Sequence, residues 1–375
     1  MTTHSSARSR AQPLSVISLL FAMIVGGALD SKTVASAQSE PAGVQTFTLG
    51  VTGNLSNLPW IIGQRRGALD RLERKHGVRL DILRFAGEDD AIEAFARGHV
   101  DAVTSSFPAM IESVHRSQRN ADLILLTGIS RGGYGVVSRS ITNPNALRNQ
   151  PIHLALGSSS HYLLFRILER ANMELVDVDL INRPERVLTR SIARGEVDTA
   201  VVGGMSLANL AGMEELTLIS DSRSLGGELI NGTIIDSAVA RENPSIGRML
   251  TEAWFSIMAS LDDGNGGISV QARDAVMQLS GLPAGALANY LSFVDFLTQP
   301  NQVKNLMTRE NLRLVTAAVA RFRSAAKLYA CPKVTTENCV VFRSDRVIAT
   351  IDGVELRLNP SFIQALIDAA HDDAS

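Results

Sequence analysis

Residues Ala94–Ser106 read AFARGHVDAVTSS, and Ser191–Gly204 read SIARGEVDTAVVGG. The first copy has apolar residues at Ala91, Ile92, Ala94 and Phe95, a spacing that predicts a helix. Gly98 directly follows basic Arg97, the pattern of a helix stop. HVDAVTSS then reads as a short buried strand running into a serine-rich loop. The second copy repeats this order, with VLTRSIAR, Gly195, EVDTAVV and the pair Gly203-Gly204. One phrase written twice, about one small domain apart, predicts two related lobes.

A second pair of echoes lies upstream. TFTLGVTGNLSNLPWIIGQRRGALDRL predicts a strand from Thr46 to Val51, a polar loop, and a helix with Pro59 in its first turn. IHLALGSSSHYLLFRILERAN predicts a strand from Ile152 to Leu156, Gly157, three serines, and a helix. Strands alternating with helices mean parallel sheets with right-handed crossovers, in which ligands bind beyond the carboxyl ends of the strands. The loops at those ends are Gly53–Asn57 and Ser105–Ser106 in one lobe, and Ser158–His161 and Gly203–Ser206 in the other. They are expected to face each other across a cleft.

The chain has 375 residues, room for two lobes and an ample core. Its net charge of −2, without long runs of one sign, speaks against a nucleic-acid surface. Residues 1–37 read as a cleavable secretory signal peptide: Arg8 and Arg10, an apolar stretch from Leu14 to Leu29, then Ala35-Ser36-Ala37 as a small-residue cleavage site. The apolar stretch is too short for a spanning helix. The chain is expected to be exported to where disulfides persist. Cys331 and Cys339 in CPKVTTENC therefore read as a local clip, with two free thiols as the alternative. The sequence contains no Gly-x-Ser-x-Gly elbow, His-Glu-x-x-His or phosphate-cradling Gly-Lys-Ser/Thr loop. No metal or cofactor is implied.

An exported, hinged, two-lobed α/β chain has the build of a periplasmic solute-binding protein. The sequence resembles the ABC-transporter substrate-binding proteins for nitrate, sulfonates and taurine, and most closely the taurine-binding branch. The stretches that carry the resemblance are LPWIIGQRRG, DAIEAFARGHVDAVTSS, GSSSHYLLFRILERA, ARGEVDTAVV, LISDSRSLGGEL and LSGLPAGAL, within roughly 46–308. The resemblance implies the type II periplasmic binding protein fold. Lobe 1 would be 46–130 plus 236–330 and lobe 2 would be 131–235, with a C-terminal extension at 331–375. It implies a monomer that captures a small anionic or zwitterionic solute and delivers it to an ABC permease. Delivery to a membrane receptor is an alternative. The thiamine-precursor synthases of the same superfamily are another, but their cysteine-rich iron motif is absent.

Ser158, Ser159, Ser160 and His161 open a helix, where free N–H groups and the helix dipole attract an acidic group. A simple serine cap is the competing explanation. His161 either donates to the ligand or packs behind the loop. Ser105 and Ser106 match the family's serine pair, or form a turn. Asn54 matches an amide or hydroxyl position in the first loop, and Thr127 ends the strand LILLTG leading to the first crossover. Asp221 either meets a ligand amine, as in the taurine branch, or is a solvated hinge carboxylate. Relatives carry Trp-Ala-Pro where this chain has Gly203, Gly204 and Met205. An aromatic wall is therefore missing, or is supplied by Trp60 or Tyr134. Leu58 stands where some taurine binders have an acid.

Overall fold

A computed structural model describes residues 44–372 apart from Gly53, Ala86, Ala211, 264–268, 281–286, 288–289, 328–346 and Asp352. The signal-peptide region and the Cys331/Cys339 pair lie outside the described residues. The chain runs β1 (Gln45–Thr52), α1 (Leu58–Arg65), α2 (Asp70–His76), β2 (Val78–Phe85), α3 (Glu88–Ala96), β3 (Ala102–Ser106), α4 (Phe107–Ser117) and β4 (Ala121–Ser130). It continues with β5 (Tyr134–Ser138), β6 (Pro151–Leu154), α5 (Ser159–Arg170), β7 (Asp179–Asn182), α6 (Glu185–Ala193), β8 (Thr199–Gly203), α7 (Gly204–Leu210) and β9 (Thr217–Asp221). Then follow β10 (Ile230–Asp236), α8 (Ser237–Glu242), α9 (Pro244–Leu261), α10 (Val270–Ser280), β11 (Val294–Phe296), α11 (Pro300–Leu306) and α12 (Arg309–Ala325). The last elements are β12 (Val347–Ile351), β13 (Val354–Leu358) and α13 (Ser361–Asp372).

The two copies of the repeated phrase fold identically. Helix α3 and strand β3 recur as α6 and β8 with a constant offset of 97 residues. Gly98 and Gly195 both stop their helix in the left-handed conformation, each at φ 72°. The apolar face of each helix is buried, through Ala91 and Phe95 in one and Leu188 and Ile192 in the other. The aspartate of each copy clamps neighbouring strands: Asp101 accepts from the Thr48 amide at 2.8 Å, and Asp198 accepts from the Ser138 hydroxyl at 2.9 Å.

These units build two sheets. The first has the order β12-β13-β4-β10-β3-β1-β2, with β11 also pairing β4. The second has the order β7-β6-β8-β5-β9. Strands β1, β2 and β3 are parallel, as are β6, β7 and β8. The expectation of purely parallel sheets is corrected at two strands. β10 runs antiparallel to β3 and β4, and β5 runs antiparallel to β8 and β9. Both strands are entered directly from a crossover between the sheets, so each arrives in the reverse sense.

β10, placed at the end of lobe 2 by the sequence, pairs within the first sheet, so the second crossover covers 222–229. In the C-terminal extension β12 and β13 form a hairpin, with Gly353 at φ 91°, and β13 pairs with β4. Helix α13 packs on α9, where Phe362 meets the bare backbone of Gly247.

The crossovers are tied to each other and to α5. The Gly132 amide donates to Ser222 Oγ at 2.8 Å, and the Ser130 and Ser222 hydroxyls are 2.9 Å apart. Glu228, in the second crossover, takes a forked pair of bonds from Arg166 at 2.7 and 2.8 Å, plus one from the Tyr162 hydroxyl at 3.0 Å. Helix α12 spans both lobes: Arg323 pairs with Glu112 on α4 at 2.6 Å, while Phe322 packs on His161, Tyr162 and Phe165 of α5. Among the described residues no helix is long and apolar enough to cross a membrane.

Candidate functional site

The carboxyl ends of β3 and β8 bring the two lobes into contact. Ser158 is the N-cap of α5: its hydroxyl accepts from the Ser160 amide at 3.2 Å and donates to the Ala155 carbonyl at 2.7 Å. Ser159 faces the other lobe. Its hydroxyl lies 2.8 Å from Glu88 Oε2 and 2.7 Å from Ser106 Oγ, and its amide donates to Glu88 Oε2 at 3.3 Å. The other Glu88 oxygen accepts from the Ser106 amide at 3.2 Å. An acidic group of the protein itself, the Glu88 carboxylate, thus occupies the start of α5, where the sequence placed the acidic group of a ligand.

Glu185 repeats this arrangement in the second lobe. It stands 97 residues after Glu88 and accepts at 2.8 Å from the Gly203 amide, which stands 97 residues after Ser106. Burial pushes the Glu185 carboxyl up to about 7, and the charge of Glu88 adds to the rise. The bond from Gly203 and one from the Ser206 hydroxyl oppose it.

Tyr134 lies between these groups. A β-carbon on Gly203 would stand 2.4 Å from its ring, so only glycine lets the ring lie against that strand end. The Asn54 side-chain amide donates to the Tyr134 hydroxyl at 3.3 Å across the lobes. Tyr134 ionisation is pushed well above the ordinary range by burial, then by the charges of Glu88 and Glu185, against a hydrogen bond with Ser159. Tyr290 is fully buried, and its hydroxyl has no partner. It is close enough to Tyr134 to bear on its ionisation.

Of the residues singled out in the sequence, Asn54, Ser106, Ser159 and Gly203 converge here. Ser105 and Ser160 are 4% and 1% exposed, and neither hydroxyl has a partner. The other positions lie in structural settings. His161 accepts from the Gly157 amide at 3.1 Å through Nδ1, and its ring stands edge-on to Phe322. Burial lowers it to about 4, so it is neutral at pH 7. Trp60 is buried against Trp254 of α9, with ring centroids 5.6 Å apart. Thr127 is fully buried in β4. Asp221 accepts from the Arg223 amide at 2.8 Å and pairs with the Arg223 guanidinium at 3.3 Å. Tyr134, rather than Trp60, stands against Gly203.

Sequence reasoning missed Glu88, Glu185 and Tyr290. Extending the alignment of the two copies upstream to the tenth residue before each glycine would have found both glutamates. A cavity of about 670 Å³ lies elsewhere in the first lobe, against α1, α9 and α10, with Leu58, Ile62, Met258 and Phe296 in its wall. It contains none of the residues expected from the sequence. Among the described residues no group of three His, Cys, Asp or Glu side chains could hold a metal ion.

No protein-family profile matches this sequence, and no curated protein matches it. Solved structures do match. The alkanesulfonate-binding protein SsuA of Xanthomonas axonopodis pv. citri, bound to MOPS, superposes with a TM-score of 0.64 at 14% identity, over 76% of this chain and 95% of that one. The periplasmic aliphatic sulphonate-binding protein SsuA of Escherichia coli gives 0.60 at 14% identity, over 75% and 87%. A putative periplasmic sulfonate-binding protein of Methylobacillus flagellatus gives 0.62 at 13% identity, over 88% and 96%. At such identities the likeness is one of fold, and the chain has the two-lobed α/β fold of the periplasmic binding proteins.

Proposed function

We propose that this protein is an exported solute-binding protein. It captures a small charged organic solute between its two lobes and delivers it to an ABC permease, working in the periplasm after its signal peptide is removed. It acts by binding rather than by catalysis, as a monomer. The observation that carries this reading is the set of polar contacts made directly across the lobes at the carboxyl ends of the strands, Glu88 with Ser159 and Asn54 with Tyr134. Bringing these groups together shapes a closed form, and a ligand favours that form by its differential affinity for it. The sulfonate-like or taurine-like solute expected from the sequence would place its acidic group at the start of α5. There it must displace Glu88.

A thermal-shift screen of the mature chain against sulfonates, nitrate, amino acids, ureas, pyrimidines and amines tests the reading. A true ligand at 100 times its Kd stabilises by about 2.7 kcal/mol. Stabilisation by one class supports capture, and detectable turnover of that solute would replace capture with an enzyme. Absence of stabilisation by every class overturns the reading.

A further inference from the structure

The chemical class of the solute follows from the charges that meet in the cleft. We infer that the cleft takes an organic cation, a solute whose ammonium, amidinium or guanidinium nitrogen is held between Glu88 of the first lobe and Glu185 of the second. This inference rests on the capture reading above and names its ligand class.

Three observations carry it. First, neither carboxylate has a cationic partner among the described residues: no ion pair involves Glu88 or Glu185, although buried Glu112 and half-buried Glu228 and Glu252 are paired with arginine or lysine. An uncompensated pair of acids in a low-dielectric cleft calls for a positive counter-charge. Second, both carboxylates keep acceptor capacity. A carboxylate offers about four lone-pair sites. Glu185 accepts from the Gly203 amide and the Ser206 hydroxyl, and Glu88 from the Ser106 amide and the amide and hydroxyl of Ser159.

Third, the surrounding groups suit a nitrogen donor. The Tyr290 hydroxyl is fully buried and lacks a partner, and a phenol can accept from a nitrogen donor as well as donate. The Tyr134 ring, laid against bare Gly203, supplies an aromatic wall of the kind that attracts cations. A sulfonate in the same place would face the Glu88 carboxylate and would compete with it for the helix start.

The two acids are also the same residue of the repeat. Each stands at the head of its helix and accepts from the amide that ends the following strand. Glu88 goes further and reaches Ser159 in the opposite lobe. A glutamate needed only to start its own helix would have no reason to bond across the cleft.

The test uses the full mature chain and four probes: agmatine and putrescine as organic cations, ethanesulfonate and nitrate as anions. Calorimetric titration and melting curves are expected to show binding and stabilisation with a cationic probe and none with the anions. Glu88→Gln and Glu185→Gln, each isosteric, should weaken that binding at least tenfold while leaving the circular dichroism of the unliganded protein unchanged. Because the comparison of probes is made on the natural protein, it stands even if a variant fails to fold. Binding of ethanesulfonate or nitrate alone, retained or strengthened in the glutamine variants, overturns the inference and leaves the capture reading intact. A screen in which no solute of any class binds overturns both.

Discussion

Replacing Gly203 with alanine should test the seat of Tyr134, and its cost should depend on the residue at position 134. A β-carbon at position 203 would lie 2.4 and 2.5 Å from two atoms of the Tyr134 ring, where real contacts stay above 3.0 Å. The ring must therefore swing by roughly an ångström, in the regime where overpacking costs about 1–3 kcal/mol. That swing also strains the 3.3 Å bond from Asn54, a contribution of about 0.5–1.5 kcal/mol. The backbone at Gly203 is not left-handed, so alanine fits it and gains about 0.4–1 kcal/mol by restricting the unfolded chain. The net expectation is a loss of about 1–3 kcal/mol. In a Tyr134→Ala background the ring is gone and only the Gly133 carbonyl oxygen, 3.3 Å from the added β-carbon, stays close, so the same Gly203→Ala change should be near neutral, within about 1 kcal/mol. Urea unfolding of the four proteins of this double-mutant cycle measures both steps. Equal losses in the two backgrounds would refute the packing argument.

Three further outcomes follow from the same groups. His161 is depressed to about 4 by burial, so the stability tied to its neutral form is complete above about 6.5 and is lost as pH falls through 4; relative to a His161→Gln variant, the natural protein should lose about 3 kcal/mol between pH 7 and pH 3, and parallel acid-unfolding curves would contradict this. Glu185 behaves in the opposite sense: its carboxyl is raised to about 7, so the stability of the natural protein against Glu185→Gln should be greatest below about 4.5 and fall as pH rises through 7, and a pH-independent difference would count against the cleft placement of this carboxyl. Ser158→Ala removes the cap that holds the Ser160 amide and should lower unliganded stability by about 1 kcal/mol, and an unchanged melting curve would show that the cap is dispensable.

Much of this architecture is written locally. The glycine stops, the buried strands and the serine-opened helix α5 each depend on residues a few positions apart, and each appears where the spacing puts it. The meeting of Ser106 with Ser159 was legible for the same reason, since both serines end a strand or begin a helix on the ligand side of a parallel sheet. The illegible parts depend on distant pairing. Glu88 opens an acidic run with Asp89 and Asp90 at a helix start, which reads as ordinary complement to the helix dipole. That it reaches Ser159, 71 residues away, is a property of how the lobes meet. Trp60 likewise sits on an apolar helix whose buried face is decided by α9, nearly 200 residues later. The pairing of β13 with β4 follows from no local pattern, because an edge strand is chosen by whichever neighbour still has unpaired backbone groups.

The constant 97-residue offset gives this molecule an internal reference. Glu88 and Glu185 perform the same local task, one in each half, but only Glu88 also crosses to the opposite half. The difference between removing one and removing its twin therefore cancels the shared local bond and leaves the crossing of Glu88 set against the Ser206 contact and deeper burial of Glu185. The same subtraction applies to the strand-end residues, Ser106 with a hydroxyl that touches the other half and Gly203 with no side chain at all. Each lobe serves as a control for the bond that both share, within a single chain.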